Sequence, residues 1–503
     1  MSLLGIDVGT TGCKAFVFHE NGQVASSAYR EYDVQTPQPG WAELDSEGIW
    51  RGVKDTIREA VSLVSGDEIR ALAISSLGEA MVPVSSDRKV LGPSLLNFDV
   101  RGEQYLERLG AGFAPEQLYG ITGNALGNHY ALPKLMWLKE HQPKLYDNAD
   151  KFLLWGAFIA YMLGAEAVVD FSLANRTLLF DIVSEAWSDE ILGLAGIDSH
   201  KLPDTKPSGV EIGTVSNKIA QELGLPSGVR VVTGAHDQCA NAVGCGVVKA
   251  GTAMYGMGTY ICAVPVFDGR RDTRMMLSHG LNTEHHAVPG KLVSFVYNEG
   301  GVLFKWYRDT FAAEDRRLAE KAGGNVYAKL ISEMPPGPSG VFVLPYFTAT
   351  GPPEFVSDAC GLVAGLKLET KRGEILKGML EGATYYLREC LERLPAIGID
   401  IGSFRAVGGG SNSDEWVQLS ADILNRPFVR PRITEAGSLG AALMAGKGCG
   451  LFASLEEGAE AMVTLEREFS PQSSRHAEYT RNFERYKKMW PLFGGYLREI
   501  SSA

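Results

Sequence analysis

The sequence has no long apolar segment and no surplus of positive charge. Its longest apolar run, residues 152–165, has 14 residues, too short to span a bilayer, and is expected to form a buried helix. The 503-residue chain has 48 lysines and arginines against 60 aspartates and glutamates, a formal net charge of -12. This balance disfavours nucleic acid or an anionic membrane as a partner, although it leaves room for a local basic site for a phosphorylated ligand.

Cysteines are few and scattered. The seven never occur as C-x-x-C, which predicts a reduced, cytoplasmic protein without disulfides or structural zinc. The N-terminus enters a strand-like run within two residues and has no basic region typical of a signal peptide. The histidine cluster at positions 279, 285 and 286 has no supporting ligands nearby in sequence and does not indicate a metal site.

Common nucleotide and metal motifs are also missing. The sequence contains no G-x-x-x-x-G-K-[ST], no G-x-G-x-x-G after a predicted strand and no H-E-x-x-H. A nucleotide would therefore be bound without a P-loop or a Rossmann fingerprint. The length predicts two or more domains, each with a sizeable core.

An aspartate near the middle of the chain stands between two predicted elements. A β-type run at 229–232 leads into Asp237, and residues 238–243 favour a helix. One interpretation makes Asp237 a helix N-cap. The other makes it a catalytic base at the carboxyl end of a strand, where open α/β sheets bind ligands.

Two hairpins about 250 residues apart resemble each other. In the first, strands at 3–6 and 15–18 flank a turn with glycines and threonines. This turn and its flanks carry Asp7, two hydroxyls and Lys14, which suit a metal-bound polyphosphate, although a purely structural turn would also explain the glycines. The second has strands at 253–255 and 261–264 around a Gly-Thr turn, which predicts an internal duplication with a cleft between two similar domains.

Further elements are predicted from periodicity and turn residues. Three glycines at 408–410 separate a strand at 404–407 from a helix that begins at 415; they would either let the backbone approach a ligand or form a tight turn capped by Ser413. Residues 151–163 are predicted as a helix, and residues 82–84 and 95–96 as a continuation of the first sheet. Taken alone, Asp99 and Arg101 suggest a surface ion pair, and Glu79 a solvated loop carboxylate.

Together the motifs resemble the FGGY family of carbohydrate kinases, in the actin-like, RNase H-like ATPase superfamily. The resemblance runs from about residue 3 to 485. The segments that carry it are IDVGTTGCKAFVF (6–18), GWAELDSEGIW (40–50), PKLMWLKEH (133–141), GAHDQCANAVGCG (234–246), YGMGTY (255–260), GGGSNSDEWVQLSADI (408–423) and EAGSLGAALMAG (435–446).

The resemblance implies an α/β protein with two RNase H-like domains and a catalytic cleft between them. Residues 1–247 would form the sugar-binding domain with Asp237 as general base, and residues 248–503 the ATP-binding domain. Asp7 would hold Mg²⁺, through water. The residues expected to bind ATP are Asp7, Gly9, Thr10, Thr11, Lys14, Gly258, Thr259, Gly409, Gly410 and Asn412, and those expected to bind sugar are Leu77, Gly78, Glu79, Asp99 and Asp237.

The resemblance does not fix the sugar. Xylulokinases usually have Met-His-Gly near 77–79, whereas glycerol kinases and autoinducer-2 kinases have Arg-Glu near 78–79; only the glutamate matches here. Gly78 in place of a large side chain predicts a roomier pocket, and Cys360 stands where an arginine is usual.

The expected function is ATP-dependent phosphorylation of a small sugar or polyol, for example a ketopentose such as xylulose. The alternative is a catalytically silent nucleotide- or sugar-binding sensor or scaffold on the same fold. The resemblance also allows a homodimer, as is common in the family.

Overall fold

The first half of the chain builds a six-stranded sheet. The computed structural model describes residues 1–64, 68–351, 355–433 and 435–501. The strands of the first half are β1 (Ser2–Val8), β2 (Gly12–His19), β3 (Val24–Glu31), β4 (Glu43–Leu44), β5 (Ile69–Ser76), β6 (Met81–Val84), β7 (Ser94–Leu95), β8 (Lys151–Leu154), β9 (Val168–Asp170), β10 (Phe180–Asp181), β11 (Ala186–Trp187), β12 (Asp204–Lys206), β13 (Glu211–Thr214) and β14 (Arg230–His236). The helices are α1 (Ser46–Ser62), α2 (Leu106–Gly112), α3 (Pro115–Thr122), α4 (Ala131–His141), α5 (Pro143–Asn148), α6 (Trp155–Leu163), α7 (Phe171–Ala174), α8 (Asp189–Ala195), α9 (Asn217–Leu223) and α10 (Asp237–Gly244).

The second half builds an eight-stranded sheet. The strands of the second half are β15 (Thr252–Met257), β16 (Tyr260–Asp268), β17 (Glu284–His285), β18 (Lys291–Val293), β19 (Val296–Glu299), β20 (Phe342–Leu344), β21 (Leu362–Ala364), β22 (Ser403–Val407), β23 (Phe428–Pro431) and β24 (Leu465–Phe469). Of these, β20 and β21 pair with each other in a separate two-stranded sheet. The helices are α11 (Thr273–Ser278), α12 (Gly301–Phe311), α13 (Ala313–Ala322), α14 (Val326–Ser332), α15 (Arg372–Leu391), α16 (Asp414–Leu424), α17 (Ala436–Gly448), α18 (Leu455–Met462), α19 (Ser473–Tyr486) and α20 (Met489–Ser501).

The two main sheets have the same core topology. The first has the order β13-β14-β5-β1-β2-β3, and the second contains β24-β23-β22-β15-β16, with β19 beside β16. In both, an antiparallel hairpin is followed by two parallel strands, and the last strand is antiparallel. The predicted duplication and the α/β fold with two RNase H-like domains are confirmed.

Two predictions for the peripheral elements are wrong. Lys151–Leu154 is not helical but forms β8, which pairs with β6, and the helix begins only at Trp155. Likewise, β6 and β7 lie outside the main sheet, because β6 pairs with β8 and β7 with β4. A run of uniformly apolar residues has no periodicity that separates a buried strand from a buried helix, so the sequence could not locate this boundary.

Helix α17 packs against the sheet of the first half of the chain. It contacts β1, β5, β14 and helix α10. The approach is so close that a Cβ added at Gly440 would lie 1.9 Å from the Ala240 carbonyl oxygen, and one at Gly5 would lie 1.9 Å from that of Ser438. Backbone therefore meets backbone here, which the small residues of α17 permit. The domain division at residues 247 and 248 stays a prediction.

Two further findings concern predictions from composition. Among the described residues, no helix is both long and apolar enough to cross a membrane. None of the seven cysteines, all of which lie within the described ranges, forms a disulfide bond.

Candidate active site

Asp237 lies at the carboxyl end of a central strand. β14 ends at His236, and Asp237 is the first residue of α10. The N-cap is His236, and its side chain makes no capping hydrogen bond, so the interpretation of Asp237 as N-cap is wrong. The Asp237 side chain is 30% exposed, and its Oδ1 accepts a hydrogen bond from Gln238 Nε2 at 3.2 Å.

The surroundings of Asp237 raise its proton affinity. Burial first, and then the negative charges of Asp7 and Glu79, raise the pKa of Asp237 to about 7. Its neighbour His236 has a pKa held well below the usual value by burial and by the charge of Arg176. His236 is therefore neutral, and its Nε2, 3.2 Å from Asp237 Oδ1, can donate a hydrogen bond. A carboxylate tuned to neutral pH suits a general base.

A buried polar chain fixes the backbone beside this base. The His236 amide donates to Ser172 Oγ at 2.9 Å, and that hydroxyl donates to Asp170 Oδ1 at 2.5 Å. Asp170 also caps the short helix α7 by accepting from the Leu173 amide at 3.0 Å. Burial raises the pKa of Asp170 to about 6. These contacts tie the end of β14 to α7.

The first hairpin brings Asp7 and Lys14 together with the second half of the chain. Ser75 Oγ donates to Asp7 Oδ1 at 2.6 Å, and burial raises the pKa of Asp7 above its usual value. Lys14 Nζ lies 2.6 Å from Glu435 Oε2, just before α17. A Cβ added at Gly437 would lie 3.3 Å from Asp7 Cγ, so the start of α17 reaches this carboxylate.

The turn of the first hairpin is tightly bonded while its hydroxyl residues face outward. The Gly9 amide donates to the Gly12 carbonyl at 2.9 Å. Tyr32 Oη donates to both the Gly9 and the Gly12 carbonyls, at 2.6 and 3.0 Å. Thr11 is exposed and Thr10 half-buried, so both side chains are accessible to a ligand.

The second hairpin turn and the glycine loop form one surface. Gly258 and Thr259 are exposed, and the Gly301 amide donates to the Gly258 carbonyl at 2.8 Å. A Cβ added at Gly410 would lie 2.9 Å from the Met257 carbonyl oxygen, so the loop after β22 rests against the end of β15.

The same loop ends in a helix cap. Ser413 Oγ accepts from the Trp416 amide at 3.2 Å, so the predicted cap is confirmed. Gly409 and Asn412 are exposed beside it. Contact of this loop with adenosine stays a prediction.

The donor set at Asp7 fits a magnesium ion held mainly by phosphate and water. The described residues include no group of three or more metal-ligating side chains. Asp7 Oδ2 makes no hydrogen bond to the described part of the chain, whereas Oδ1 is held by Ser75. Mg²⁺ keeps several waters and binds through one or two carboxylates plus substrate phosphates, so a single available oxygen is sufficient.

Asp99 is buried rather than exposed. It is 0% exposed and Arg101 is 3% exposed, so the prediction of a surface ion pair is wrong. Its carboxylate accepts from the Ala42 amide at 2.6 Å and from Arg101 Nε at 2.9 Å. Arg101 also bonds Glu43 at 2.6 Å and lies over the Trp41 ring. These contacts hold the Asp99 carboxylate in the interior, and binding of sugar by Asp99 stays a prediction.

Residues 77–79 are buried against Arg176, which was not predicted as a site residue from the sequence. The Leu77 amide donates to the Val8 carbonyl at 2.9 Å, beside the end of β1. Glu79 is 7% exposed and paired with Arg176, so the prediction of a solvated loop carboxylate is wrong. A Cβ at Gly78 would lie 2.9 Å from Arg176 Cγ, so the predicted roomier pocket is also wrong. The two partners are 97 positions apart, and no local pattern reveals such a pair.

Known proteins share this fold and these sequence features. The N-terminal domain of the FGGY family of carbohydrate kinases matches residues 2–244, and its C-terminal domain matches residues 273–449. Xylulose kinase from Bacillus subtilis is 26% identical over 494 residues, covering 97% of this chain and 96% of that protein. Autoinducer-2 kinase from Yersinia pestis is 30% identical over 500 residues, covering 95% and 92%.

The solved structures agree on the fold. Ligand-bound xylulose kinase from Lactobacillus acidophilus superposes with a TM-score of 0.88 over 99% of both chains, at 22% identity. The two family models both describe carbohydrate kinases, which are phosphotransferases. The chain belongs to the FGGY family of carbohydrate kinases, and it is an ATP-dependent sugar kinase. The resemblance in the sequence is confirmed.

Proposed function

We propose that this kinase phosphorylates a hydroxyl group of a small sugar or polyol, and that Asp237 is its general base. The main support is the place of Asp237 at the end of β14, partly open to solvent, with a pKa raised to about 7. The acceptor hydroxyl would lose its proton to Asp237 as its oxygen attacks the γ-phosphorus in line. The transferred phosphoryl group joins that oxygen, and ADP leaves.

The nucleotide side of the proposal rests on the two hairpins and the glycine loop. Thr10, Thr11 and Thr259 would donate to phosphate oxygens, and Lys14, held by Glu435, would offset their charge. Mg²⁺, when bound, would neutralise phosphate charge and contact Asp7 through water. Gly409 and Asn412, which are exposed, and the half-buried Gly410 would line the adenosine pocket, where the absence of side chains at the glycines permits close approach.

Two finer assignments accompany this function. A ketopentose such as xylulose is the first acceptor to test, because relatives at 26 and 28% identity are named xylulose kinases. A cytoplasmic location is supported by the lack of disulfide bonds among the described cysteines and by the need for ATP.

The test is a coupled assay of ADP release with Mg-ATP. The panel contains glycerol, erythritol, xylulose, ribulose, gluconate and the autoinducer-2 precursor. One acceptor that raises ADP release well above the sugar-free rate, with a phosphorylated product by mass spectrometry, supports the proposal. ATP binding without phosphorylation of any acceptor would favour the alternative of a silent sensor or scaffold.

The activity should fall in acid. Only the deprotonated Asp237 can accept a proton, so kcat/KM is expected to drop about tenfold for each pH unit below the pKa of about 7 and to level off above it. The measurement is kcat/KM for the acceptor from pH 5 to 9 at saturating Mg-ATP. A flat profile would contradict the assignment, provided that thermal unfolding curves show a folded enzyme throughout.

Thr259→Val should weaken the handling of ATP. The change removes an exposed hydroxyl in the second hairpin while keeping the side-chain shape. Loss of a hydrogen bond to a charged phosphate is expected to raise the KM for ATP or lower kcat by about tenfold. Thr252→Val is the control, because Thr252 is the first residue of β15 and lies at the end of the same hairpin opposite the turn. Unchanged KM and kcat would contradict the role of this hairpin.

A further inference from the structure

An arginine outside the recognised motifs lies at the sugar side of the site. Arg176 is in the 3₁₀ turn that follows α7. The Arg176 Nε donates to Glu79 Oε1 at 2.8 Å, and Nη2 donates to the same oxygen. The Arg176 Nη1 donates to Glu284 Oε1 at 2.6 Å. Since Glu284 belongs to β17, the guanidinium joins the two halves of the chain beside the proposed base.

The backbone at residues 78 and 79 leaves space for the Arg176 side chain. A Cβ at Gly78 would lie 2.9 Å from Arg176 Cγ and 3.3 Å from its Cβ, so a larger residue would displace the arginine stem. Glu79 has φ +62°, an uncommon conformation for a residue other than glycine. Such strain persists where the surroundings enforce it, often at functional sites.

Apart from its two carboxylate partners, the guanidinium of Arg176 has uncharged imidazole and aromatic groups around it. Burial, followed by the charge of Arg176, lowers the pKa of His129 to about 3, and the same two causes keep His236 neutral. The rings of Tyr130 and Phe295 have centroids 5.4 and 5.7 Å from the guanidinium carbon. Neutral imidazoles and aromatic faces suit the hydroxyls and C–H faces of a sugar.

The charge balance at this place is already negative. One guanidinium faces the carboxyl groups of Glu79 and Glu284, and the charge of Glu79 reaches Asp237 strongly enough to help raise its pKa. An acceptor that brings its own carboxylate would add like charge next to these groups. A neutral acceptor adds none.

The guanidinium keeps donors for a ligand. It has five N–H groups, and three of them take part in its bonds to Glu79 and Glu284. The remaining two are on the terminal nitrogens of a side chain that is 12% exposed. Each of these two N–H groups can donate to an oxygen of a bound acceptor.

We propose that Arg176 binds the acceptor and sets its specificity, selecting neutral polyols or ketoses with two adjacent oxygens and rejecting sugar acids. This assignment rests on the proposed kinase activity and deepens it. Arg176 contacts the acceptor through its terminal nitrogens, while its bonds to Glu79 hold that carboxylate for a substrate hydroxyl. Gly78 is the small residue that permits the arrangement.

The experiment compares Arg176→Lys and Gly78→Ala with the wild type. Acceptor KM and kcat are measured for neutral D-xylulose, D-ribulose and erythritol and for anionic D-gluconate and D-glucuronate. Arg176→Lys keeps the charge but loses the fork, and is expected to raise the KM of the neutral acceptor about 10- to 100-fold, with the KM for ATP within about twofold. Gly78→Ala is expected to act in the same direction by pushing the arginine stem. Gly193→Ala, at a helical position with no atom within 4 Å of the added Cβ, is the matched control.

A third variant tests the charge balance. Glu79→Gln removes one negative charge, so kcat/KM for D-gluconate relative to D-xylulose is expected to increase about tenfold or more. Wild-type preference for the sugar acids, or unchanged acceptor KM in folded Arg176→Lys and Gly78→Ala, overturns the assignment while the kinase activity stands. A wild type that phosphorylates no acceptor overturns both proposals.

Discussion

Asp237→Asn is expected to lower kcat by about two to four orders of magnitude, the usual contribution of a positioned general base. The amide keeps the shape of the side chain and can still contact Gln238 and His236, but it cannot accept a proton at neutral pH. Binding of ATP and of the acceptor, measured by isothermal titration calorimetry, should change by less than about threefold. The result follows from the position of this carboxylate at the end of β14.

Asp189→Asn provides the matched control, because Asp189 is also the first residue of a helix, α8. Its kinetic constants should equal those of the wild type. Turnover by Asp237→Asn at a tenth of the wild-type rate or more would remove Asp237 as the base.

Asp237→Asn should also make the protein more stable than the wild type above neutral pH. Folding raises the pKa of Asp237 from its usual value of 3.8 to about 7, so the folded state binds this proton more tightly than the unfolded state. The stabilisation that comes from this tighter proton binding is present at acidic pH and is lost as pH rises through about 7. At pH 8 the melting temperature of Asp237→Asn should exceed that of the wild type by several degrees, and the difference should vanish near pH 4. A lower melting temperature at pH 8 would contradict this account.

The second large effect is expected at the contact between α10 and α17. In Gly440→Ala the new Cβ would lie 1.9 Å from the Ala240 carbonyl oxygen, so the two helix backbones must move apart. Overpacking of this kind costs about 1–3 kcal/mol, and a clash with backbone belongs at the upper end. Because α10 begins with Asp237 and the start of α17 reaches Asp7, we also expect a large loss of kcat. Urea unfolding and steady-state kinetics measure the two effects.

Gly52→Ala is the control for this substitution. Gly52 lies inside helix α1, and nothing is within 4 Å of its added Cβ. Alanine should stabilise that helix by about 0.5–1 kcal/mol, because glycine loses more conformational freedom on folding. The same chemical change thus has opposite expected signs at two helical positions. Equal stability of both variants would contradict the close helix contact.

Features that depend only on neighbouring residues could be predicted from the sequence. The strand that leads to Asp237, the two Gly-Thr hairpins and the capped helix after the glycine loop each show in a window of about ten residues, and each is confirmed. The family resemblance joined them into two domains with one cleft.

Features that depend on distant partners could not be predicted. Nothing near residue 79 shows that its carboxylate pairs with Arg176, 97 positions away, or that the same arginine fills the space left by Gly78. The burial of Asp99 likewise depends on Ala42 and on the tryptophan at position 41, which the chain brings over Arg101. In each case a residue judged by its sequence neighbours looked exposed because its true environment is tertiary.

The position of α17 has a consequence for the order in which the molecule is made. The first sheet needs helix α17, which begins at Ala436, about 200 residues after the last central strand, β14, ends at His236. During synthesis, the face of the first sheet that α17 covers is therefore expected to stay exposed until residue 448 has left the ribosome. A fragment that ends before α17 should expose this face and aggregate, and adding the missing C-terminal fragment in trans should restore solubility.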